Sequence, residues 1–132
     1  FEELPRMYTV KQVSELAGVS VRTLHYYDEI GLLHPSKIGA NGYRYYDDIA
    51  LKRLEKIAAL KRLGLSLDEI AAVIDLYFED VSGIKGKEKV LEILHAQLTK
   101  ADAQLHELTA FKRDLEINIA RMHELIAEAK QG

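Results

Sequence analysis

The stretch TVKQVSELAGVSVRTLHYYDEIG, residues 9–31, contains two short helical patterns separated by Gly18. The first pattern begins at Thr9, and Gln12 follows at the spacing of a capping box, in which each side chain bonds the backbone of the other residue. The apolar residues of this pattern recur at the spacing of one helical face, and they are Val10, Val13, Leu16 and Ala17. Because glycine readily adopts the left-handed conformation that ends helices, the first helix is predicted to stop at Gly18.

Ser20 is a suitable N-cap for the second helix, and Gly31 is a suitable end for it. Two short helices joined by a tight glycine-containing turn indicate a helix-turn-helix motif, whose second helix places its N-terminal half in the major groove of DNA. Leu24 belongs to the apolar stripe and is expected to face inward. The other side of the helix offers an arginine for guanine or phosphate and hydroxyls for phosphate. The candidate DNA-binding residues of this helix are Ser20, Val21, Arg22, Thr23, His25 and Tyr26.

Residues 32–48, LLHPSKIGANGYRYYDD, indicate a small two-stranded wing. The Asn-Gly pair between SKI and YRYY is a strong hairpin signal, and a proline and a glycine disfavour a helix. Lys37, Asn41 and Arg44 are expected at the tip or on the exposed face of the wing. Tyr43 and Tyr45 alternate with Arg44, so one of the two strand faces must point inward. Three further residues are predicted to be non-contacting, namely Tyr27 and Tyr46 as packing residues and His34 as a surface loop residue.

Two more helices are predicted after the wing. Asp47 or Asp48 caps a third helix over roughly residues 49–63. Ser66 and Glu69 form a second capping box, which opens a fourth helix that extends to about Phe78. The basic residues of the third helix are expected to form a solvated face from which the last two could reach a phosphate, and they are Lys52, Arg53, Lys56, Lys61 and Arg62.

The C-terminal third of the sequence predicts one long helix. Residues 79–86, EDVSGIKG, are interpreted as a linker, and residues 87–130 contain no glycine or proline. A continuous helix of this length would be about 66 Å long at 1.5 Å per residue. The seam positions follow a 3-4 spacing with Lys112 as the one polar exception, and they are Leu91, Leu94, Leu98, Ala101, Leu105, Leu108, Lys112, Leu115, Ile119, Met122, Ile126 and Ala129.

Such a heptad pattern is typical of a coiled coil. A stripe this long needs a partner helix, and a second copy of the chain is the simplest source. The alternative is a helical hairpin within one chain, which the lack of a glycine or proline break disfavours. We therefore expect a homodimer.

Composition narrows the function classes. The chain has 132 residues, which suit one domain or one small domain with an extension. It has no cysteine, which excludes disulfides, thiolate metal sites and a cysteine nucleophile. No apolar run approaches the roughly 20 residues that span a bilayer, so no membrane partner is expected and the expected location is the cytoplasm. No catalytic pair, phosphate-binding loop or metal cluster is evident, and neither an enzyme nor a cofactor is expected.

Charge is unevenly distributed along the chain. The net charge is −3, but residues 7–64 carry nine Lys/Arg and six Asp/Glu, whereas residues 65–132 carry eight and thirteen. A basic N-terminal half is a weak indication of a polyanionic partner, and chance explains it equally well. Residues 1–6 precede Met7 and are interpreted as an extension or a cloning remnant.

Taken together, these motifs resemble the DNA-binding domain of the MerR family of bacterial transcription regulators. The resemblance rests on TVxxVxxxAGVSxRTL, YYDEIGLL, GYRYY and LGLSLDEI, which occur in this order from Met7 to about Tyr77. It implies a mainly α fold, with a winged helix-turn-helix head over residues 7–78 and a long dimerisation helix that forms an antiparallel coiled coil. It also implies a homodimer on a pseudo-palindromic promoter element. Bending and untwisting of the spacer would then realign the promoter for RNA polymerase.

The resemblance also assigns residues. The recognition-helix contacts of the family match Ser20, Arg22, Thr23, His25 and Tyr26, the wing contacts match Arg44 and Tyr45, and Lys11 lies where the first helix approaches a phosphate. His25 stands where the family often has arginine, which puts the base preference in doubt. The implied dimerisation residues are Leu91, Leu94, Leu98, Leu105, Leu108, Leu115, Ile119, Met122 and Ile126.

The signal to which the protein responds is less defined. Metal- and redox-sensing members use cysteines near the end of the dimerisation helix, and this chain has none. Because the sequence ends about where the coil ends, it is expected to be a short member without a C-terminal effector domain, or a fragment of a longer one. Tyr77 and Phe78 could form a small-molecule site, but packing at the junction between head and coil is the favoured interpretation. The alternative function is a protein-protein adaptor that assembles through its coil.

Overall fold

The computed structural model describes residues 6–132, and residues 1–5 of the predicted extension lie outside that range. The described chain is mainly helical and divides into a first unit that ends at Lys89 and a second from Val90 onward. The helices are α1 (Val10–Ala17), α2 (Val21–Glu29), α3 (Asp48–Arg62), α4 (Leu67–Val73), a 3-10 helix (Ile74–Phe78) and α5 (Ile84–Gln131). The strands are β1 (Tyr8–Thr9), β2 (Lys37–Ile38) and β3 (Arg44–Tyr46). The predicted order of helix-turn-helix, wing and long helix is confirmed.

Each predicted helix start in the head is formed by its own side-chain cap. In α1, Thr9 Oγ1 accepts from the Gln12 amide at 3.1 Å while Gln12 Oε1 accepts from the Thr9 amide at 2.9 Å. In α3, Asp47 is the cap, since its carboxylate accepts from the Ala50 amide at 2.9 Å. The structure confirms the capping boxes that the sequence predicted for α1 and α4. Both were predictable because each box involves only two residues three positions apart.

The wing contains one strand more than predicted. β3 lies in the middle of an antiparallel sheet with β1 on one side and β2 on the other. A strand of two residues is too short to show an alternating pattern, which is why β1 was not predicted. At the tip, the Gly39 amide donates to the Tyr43 carbonyl at 2.9 Å, and Gly42 adopts a φ of 82°. The hairpin therefore closes with a three-residue loop that ends in a left-handed glycine.

The core of the head is formed by buried residues of α1, α2, α3, α4, the 3-10 helix and β3. Tyr27 is 3% exposed and Tyr46 is fully buried, so their predicted packing roles are confirmed. Leu16 was predicted on the buried stripe of α1, but it is 66% exposed. It lines an open groove of about 430 Å³ with Leu54 and Ile57 of α3. Val13 is the one residue of this stripe that is buried, because Leu16 and Ala17 line the open groove.

One predicted boundary agrees with the structure and one is wrong. The fourth helix was expected to extend to about Phe78, and helical residues do extend that far, as α4 to Val73 and as the 3-10 helix from Ile74 to Phe78. The long helix was expected to begin at Lys87, but it begins at Ile84, so the last part of the predicted linker is helical. Gly86 is tolerated there because the ring of Tyr77 occupies the space of its missing Cβ.

The second unit consists of α5 residues from Val90 onward. The large apolar seam residues beyond Leu94 are about half exposed along this helix, from 45% at Leu115 to 64% at Leu108. In the part of the chain that the structure describes, no helix is both long enough and apolar enough to cross a membrane.

Candidate nucleic-acid interface

The exposed side of α2 forms the first part of the site. Its N-terminal residues lie around a shallow concavity of about 740 Å³, which is lined by Val21, Arg22, Thr23, His25, Tyr26 and Glu29. Leu24 is fully buried on the opposite side, as predicted. Tyr26 is 48% exposed. The structure thus brings together the predicted recognition residues around one concavity of a short helix, except for Ser20, which is the N-cap of that helix.

Glu29 is a member of this face that sequence reasoning missed. It lies three residues after Tyr26 and four after His25, the spacing at which helical side chains are neighbours. A carboxylate at this position accepts hydrogen bonds from cytosine and repels phosphate. Its presence therefore limits which bases and backbone positions can approach the end of the helix.

The hydroxyls at the start of α2 are engaged within the protein. Ser20 Oγ accepts from the Thr23 amide at 3.0 Å, and the two hydroxyls lie 2.8 Å apart. Both side chains therefore fix the start of the helix. Arg22 and Val21, which follow the cap, are exposed at its first turn. The helix N-terminus also presents backbone amides, a favourable environment for phosphate.

The wing presents different residues on its two faces. Tyr45 lies opposite Lys37 in the sheet, so these two side chains share one face. Arg44 lies opposite Ile38 and, with Tyr46, points to the other face. Sequence reasoning placed Arg44 and Tyr45 together as wing contacts, and the strand alternation separates them.

On the Arg44 face, the wing meets the last turn of α2. Asp28 Oδ2 lies 3.5 Å from Arg44 Nε, and its Oδ1 lies 2.7 Å from His34 Nδ1. Asp28 is 24% exposed and Arg44 33%. Burial raises the pKa of Tyr46 on the same face, with Arg44 opposing and Asp28 adding to that effect. His34 is a surface residue, as predicted, but it also bonds the recognition helix.

The remaining cations of the head differ in their exposure and in their contacts. Lys11 on α1 and Lys61 and Arg62 on α3 are exposed. Arg53, expected on the solvated face, is 23% exposed, and it donates to the Leu32 carbonyl at 2.8 Å and to Asp75 at 2.7 Å. This arginine is structural, because it joins the loop after α2 to the 3-10 helix.

Lys56 is also not a simple solvated cation. Its Nζ lies 4.4 Å from the ring centroid of Tyr77. Burial raises the pKa of Tyr77, whose ring also contacts Gly86. Phe78 is 41% exposed. Tyr77 therefore packs between α3 and the start of α5, whereas Phe78 keeps an accessible apolar surface.

No group of three or more histidine, cysteine or carboxylate side chains within residues 6–132 is arranged to hold a metal ion. The α2 and wing surface offers cations, tyrosine hydroxyls and aromatic rings, together with the Glu29 carboxylate. These groups suit contacts to phosphate, sugar and base edges.

Comparisons with known families give one result. Residues 8–76 match the family described as MerR HTH family regulatory protein, and residues 51–117 match the one described as MerR, DNA binding.

The related sequences are named as regulators of transcription. The chain is 55% identical over 69 residues to the HTH-type transcriptional regulator SkgA of Caulobacter vibrioides, which covers 52% of this chain and 27% of SkgA. It is 32% identical over 114 residues to the HTH-type transcriptional regulator HmrR of Rhizobium leguminosarum, which covers 86% of this chain and 85% of HmrR. The chain thus spans about a quarter of SkgA but most of HmrR.

Solved structures agree. The N-terminal part of the Bacillus subtilis multidrug transporter activator Mta has a TM-score of 0.56 at 40% identity, covering 76% of this chain and 93% of that one. HiNmlR, a MerR family regulator lacking the sensor domain and bound to promoter DNA, has a TM-score of 0.54 at 28% identity, covering 80% and 78%. EcmrR, seen with DNA in a transcription complex, has a TM-score of 0.54 at 30% identity, covering 80% of this chain and 38% of EcmrR.

Proposed function

The chain belongs to the MerR family of helix-turn-helix regulatory proteins, and we propose that it acts as a homodimer that binds a pseudo-palindromic promoter element and regulates transcription there. The observation that carries this proposal is the solvent-facing surface of α2. Arg22, His25 and Tyr26 lie together on that surface, just after the residue that caps the helix. An exposed recognition helix beside a basic wing suits the major groove and its flanking phosphates.

The dimer is supported by the apolar stripe of α5. Leu98, Leu105 and Leu108 are each 58–64% exposed on a helix of 48 residues. A heptad stripe of this length is stabilised when it packs against a second helix. An antiparallel pairing of two copies would place one head at each end of the coil, which matches two half-sites of a two-fold related DNA element.

The proposed mechanism is indirect readout. Two heads that are joined through the dimer and bind half-sites on one face of DNA can bend and untwist the spacer between them. Phosphate contacts from Lys11, Arg22 and the wing would offset the cost of that deformation. The likeness to EcmrR, seen with DNA in a transcription complex, supports RNA polymerase as the partner at the promoter.

A small-molecule effector is a further part of the proposal, and Phe78 is its contact. This ring is 41% exposed beside the packed ring of Tyr77. An apolar effector that covers it would act next to the start of α5. Loss of effector binding in Phe78→Ala with an unchanged melting temperature supports this assignment, and undiminished binding contradicts it.

The test is selection of bound fragments from the genome of the source organism with the purified protein, followed by footprinting at two salt concentrations. We expect protection of a two-fold related site in a promoter spacer, with affinity that falls steeply as salt rises. Retention of a protein partner with no enrichment of any DNA fragment would support the adaptor function instead. Arg22→Ala is the matched variant for the DNA result, and it should weaken the footprint while the dimer remains folded.

A further inference from the structure

We infer that Asp28 is a positioning residue for DNA binding, which orients Arg44 of the wing beside the recognition helix so that its free nitrogens meet a phosphate. This inference rests on the proposed function. It assigns to a carboxylate a role that charge alone would oppose, because an acidic side chain near a DNA-binding surface repels the phosphate backbone.

Strand geometry directs Arg44 toward the recognition helix. Arg44 and the fully buried Tyr46 are two residues apart on β3, so both side chains lie on the same face of the sheet. From that face the Arg44 side chain reaches the last turn of α2, where its Nε lies 3.5 Å from Asp28 Oδ2. Asp28 lies three residues after His25 and is therefore next to it on the helix surface. Arg44 is thus held one helical turn from the predicted base-contacting residues.

The carboxylate of Asp28 is itself fixed from two sides. Its Oδ1 lies 2.7 Å from His34 Nδ1 while its Oδ2 faces Arg44 Nε at 3.5 Å. His34 follows Leu32 and Leu33, whose buried side chains and amide bonds to the Tyr27 carbonyl anchor the loop after α2. The loop, the helix and the wing therefore converge on one carboxylate.

Arg44 retains donors for a ligand. The guanidinium carries five N–H groups, and the contact observed in its ion pair is the one from Nε, at 3.5 Å from Asp28 Oδ2. The two terminal nitrogens are left for phosphate oxygens, and a side chain that is 33% exposed can reach them. A carboxylate that binds Nε and leaves the terminal nitrogens outward acts as an orienting contact.

The Asp28–Arg44 contact is expected to favour DNA binding by restricting the Arg44 side chain before the DNA is bound. An ion pair with both partners partly exposed adds little to stability. An arginine whose conformation is already restricted loses less freedom when it binds, and this corresponds to about two- to tenfold in affinity for one long side chain. The number of phosphates contacted does not change, so the salt dependence of binding should not change either.

The experiment is a double-mutant cycle on DNA affinity. A fluorescein-labelled duplex of the most enriched fragment, and a scrambled duplex of equal composition, are titrated with wild type, Asp28→Asn, Arg44→Ala and the double variant at several salt concentrations. Glu15→Gln is the charge control, because it removes one negative charge from the exposed surface of α1 in the same unit. Asp28→Glu, which keeps the carboxylate, provides the rescue. Thermal melts establish that each variant is folded.

We expect Asp28→Asn to lower affinity about two- to tenfold with an unchanged salt slope. It should have no further effect in the Arg44→Ala background, and Asp28→Glu should recover part of the loss. Equal losses in both backgrounds, or an affinity as high as that of Glu15→Gln, would overturn the inference. Wild type that binds neither duplex overturns the proposed function and this inference together, whereas wild type that binds without Asp28–Arg44 coupling overturns this inference alone.

Discussion

The ring of Tyr77 lies so close to Gly86 that a Cβ on Gly86 would be 2.5 Å from Tyr77 Cδ2. Lys56 Nζ lies 4.4 Å from the centroid of the same ring. Glycine in the first turn of a long helix is ordinarily unfavourable. Here it is required, because it lets an aromatic side chain from the 3-10 helix pack directly on the helix backbone.

Gly86→Ala should therefore destabilise the protein. An alanine in a helix usually stabilises by about 0.5–1 kcal/mol over glycine, but overpacking against Tyr77 should reverse the sign and cost about 1–3 kcal/mol. Urea denaturation at fixed protein concentration measures the change. In the Tyr77→Ala background the space is open, so Gly86→Ala should there be neutral or stabilising. The same loss in both backgrounds would show that the ring is not the cause.

Tyr46→Phe should leave stability at neutral pH unchanged or raise it slightly. The Tyr46 hydroxyl is buried without a hydrogen-bond partner among the described residues, so its removal takes away a desolvated polar group and no bond. A loss of more than about 1 kcal/mol in urea denaturation would indicate a bond to that hydroxyl.

The same tyrosine should make stability fall at alkaline pH. Burial raises the pKa of Tyr46 above its model-compound value of 10.0. The folded state therefore holds the phenolic proton more tightly than the unfolded state, so this contribution is complete below pH 10.0 and is lost as pH rises through the folded pKa. Melting temperatures measured on both sides of that value should decline less steeply for Tyr46→Phe than for wild type. Parallel declines would contradict the assignment.

Leu115→Ala should weaken the dimer, whereas Ile117→Ala should not. Both side chains are exposed on α5, at 45% and 59%, but only Leu115 lies on the heptad stripe. Two residues along a helix rotate the side chain by about 200°, so Ile117 points away from the seam. Sedimentation equilibrium compares the two dissociation constants. Equal effects of the two substitutions would argue against this seam.

Lys112→Leu should tighten the dimer. Lys112 is the one polar residue of the stripe. Its side chain is 78% exposed, and its Nζ lies 3.9 Å from Glu116 Oε1. A leucine would extend the apolar seam, while the weak surface pair that is lost contributes little. A higher dissociation constant for Lys112→Leu, measured in the same way, would indicate that the lysine specifies the pairing.

Arg22→Ala should reduce operator affinity and lower the magnitude of the salt slope by about one if the arginine contacts a phosphate. If it contacts guanine, the loss should be about 1–3 kcal/mol and specific to one base pair. Lys100→Ala, which removes one positive charge from α5, is the control and should change neither quantity. Fluorescence anisotropy at several salt concentrations distinguishes these outcomes.

Short-range rules determined much of the fold from the sequence. The caps formed by Thr9, Ser20 and Ser66 and the hairpin at Asn41 depend on residues within a few positions of one another. Such contacts form in the same way whatever the rest of the chain does. The heptad spacing likewise predicted a long C-terminal helix, because its period is a property of the sequence alone.

Only the tertiary structure decided how polar and apolar side chains are used. In the sequence, nothing distinguishes Arg53 and Lys56 from the exposed cations beside them on α3. In the structure, Arg53 donates to the Leu32 carbonyl and Lys56 lies over the ring of Tyr77. Asp28 and Arg44 are separated by sixteen positions and meet because the Arg44 side chain reaches from the wing to the end of α2. The sequence by itself determined which elements form, since local energetics select them. Tertiary packing decided which partner each side chain contacts, because those partners are distant in the sequence and come close together only when the chain folds.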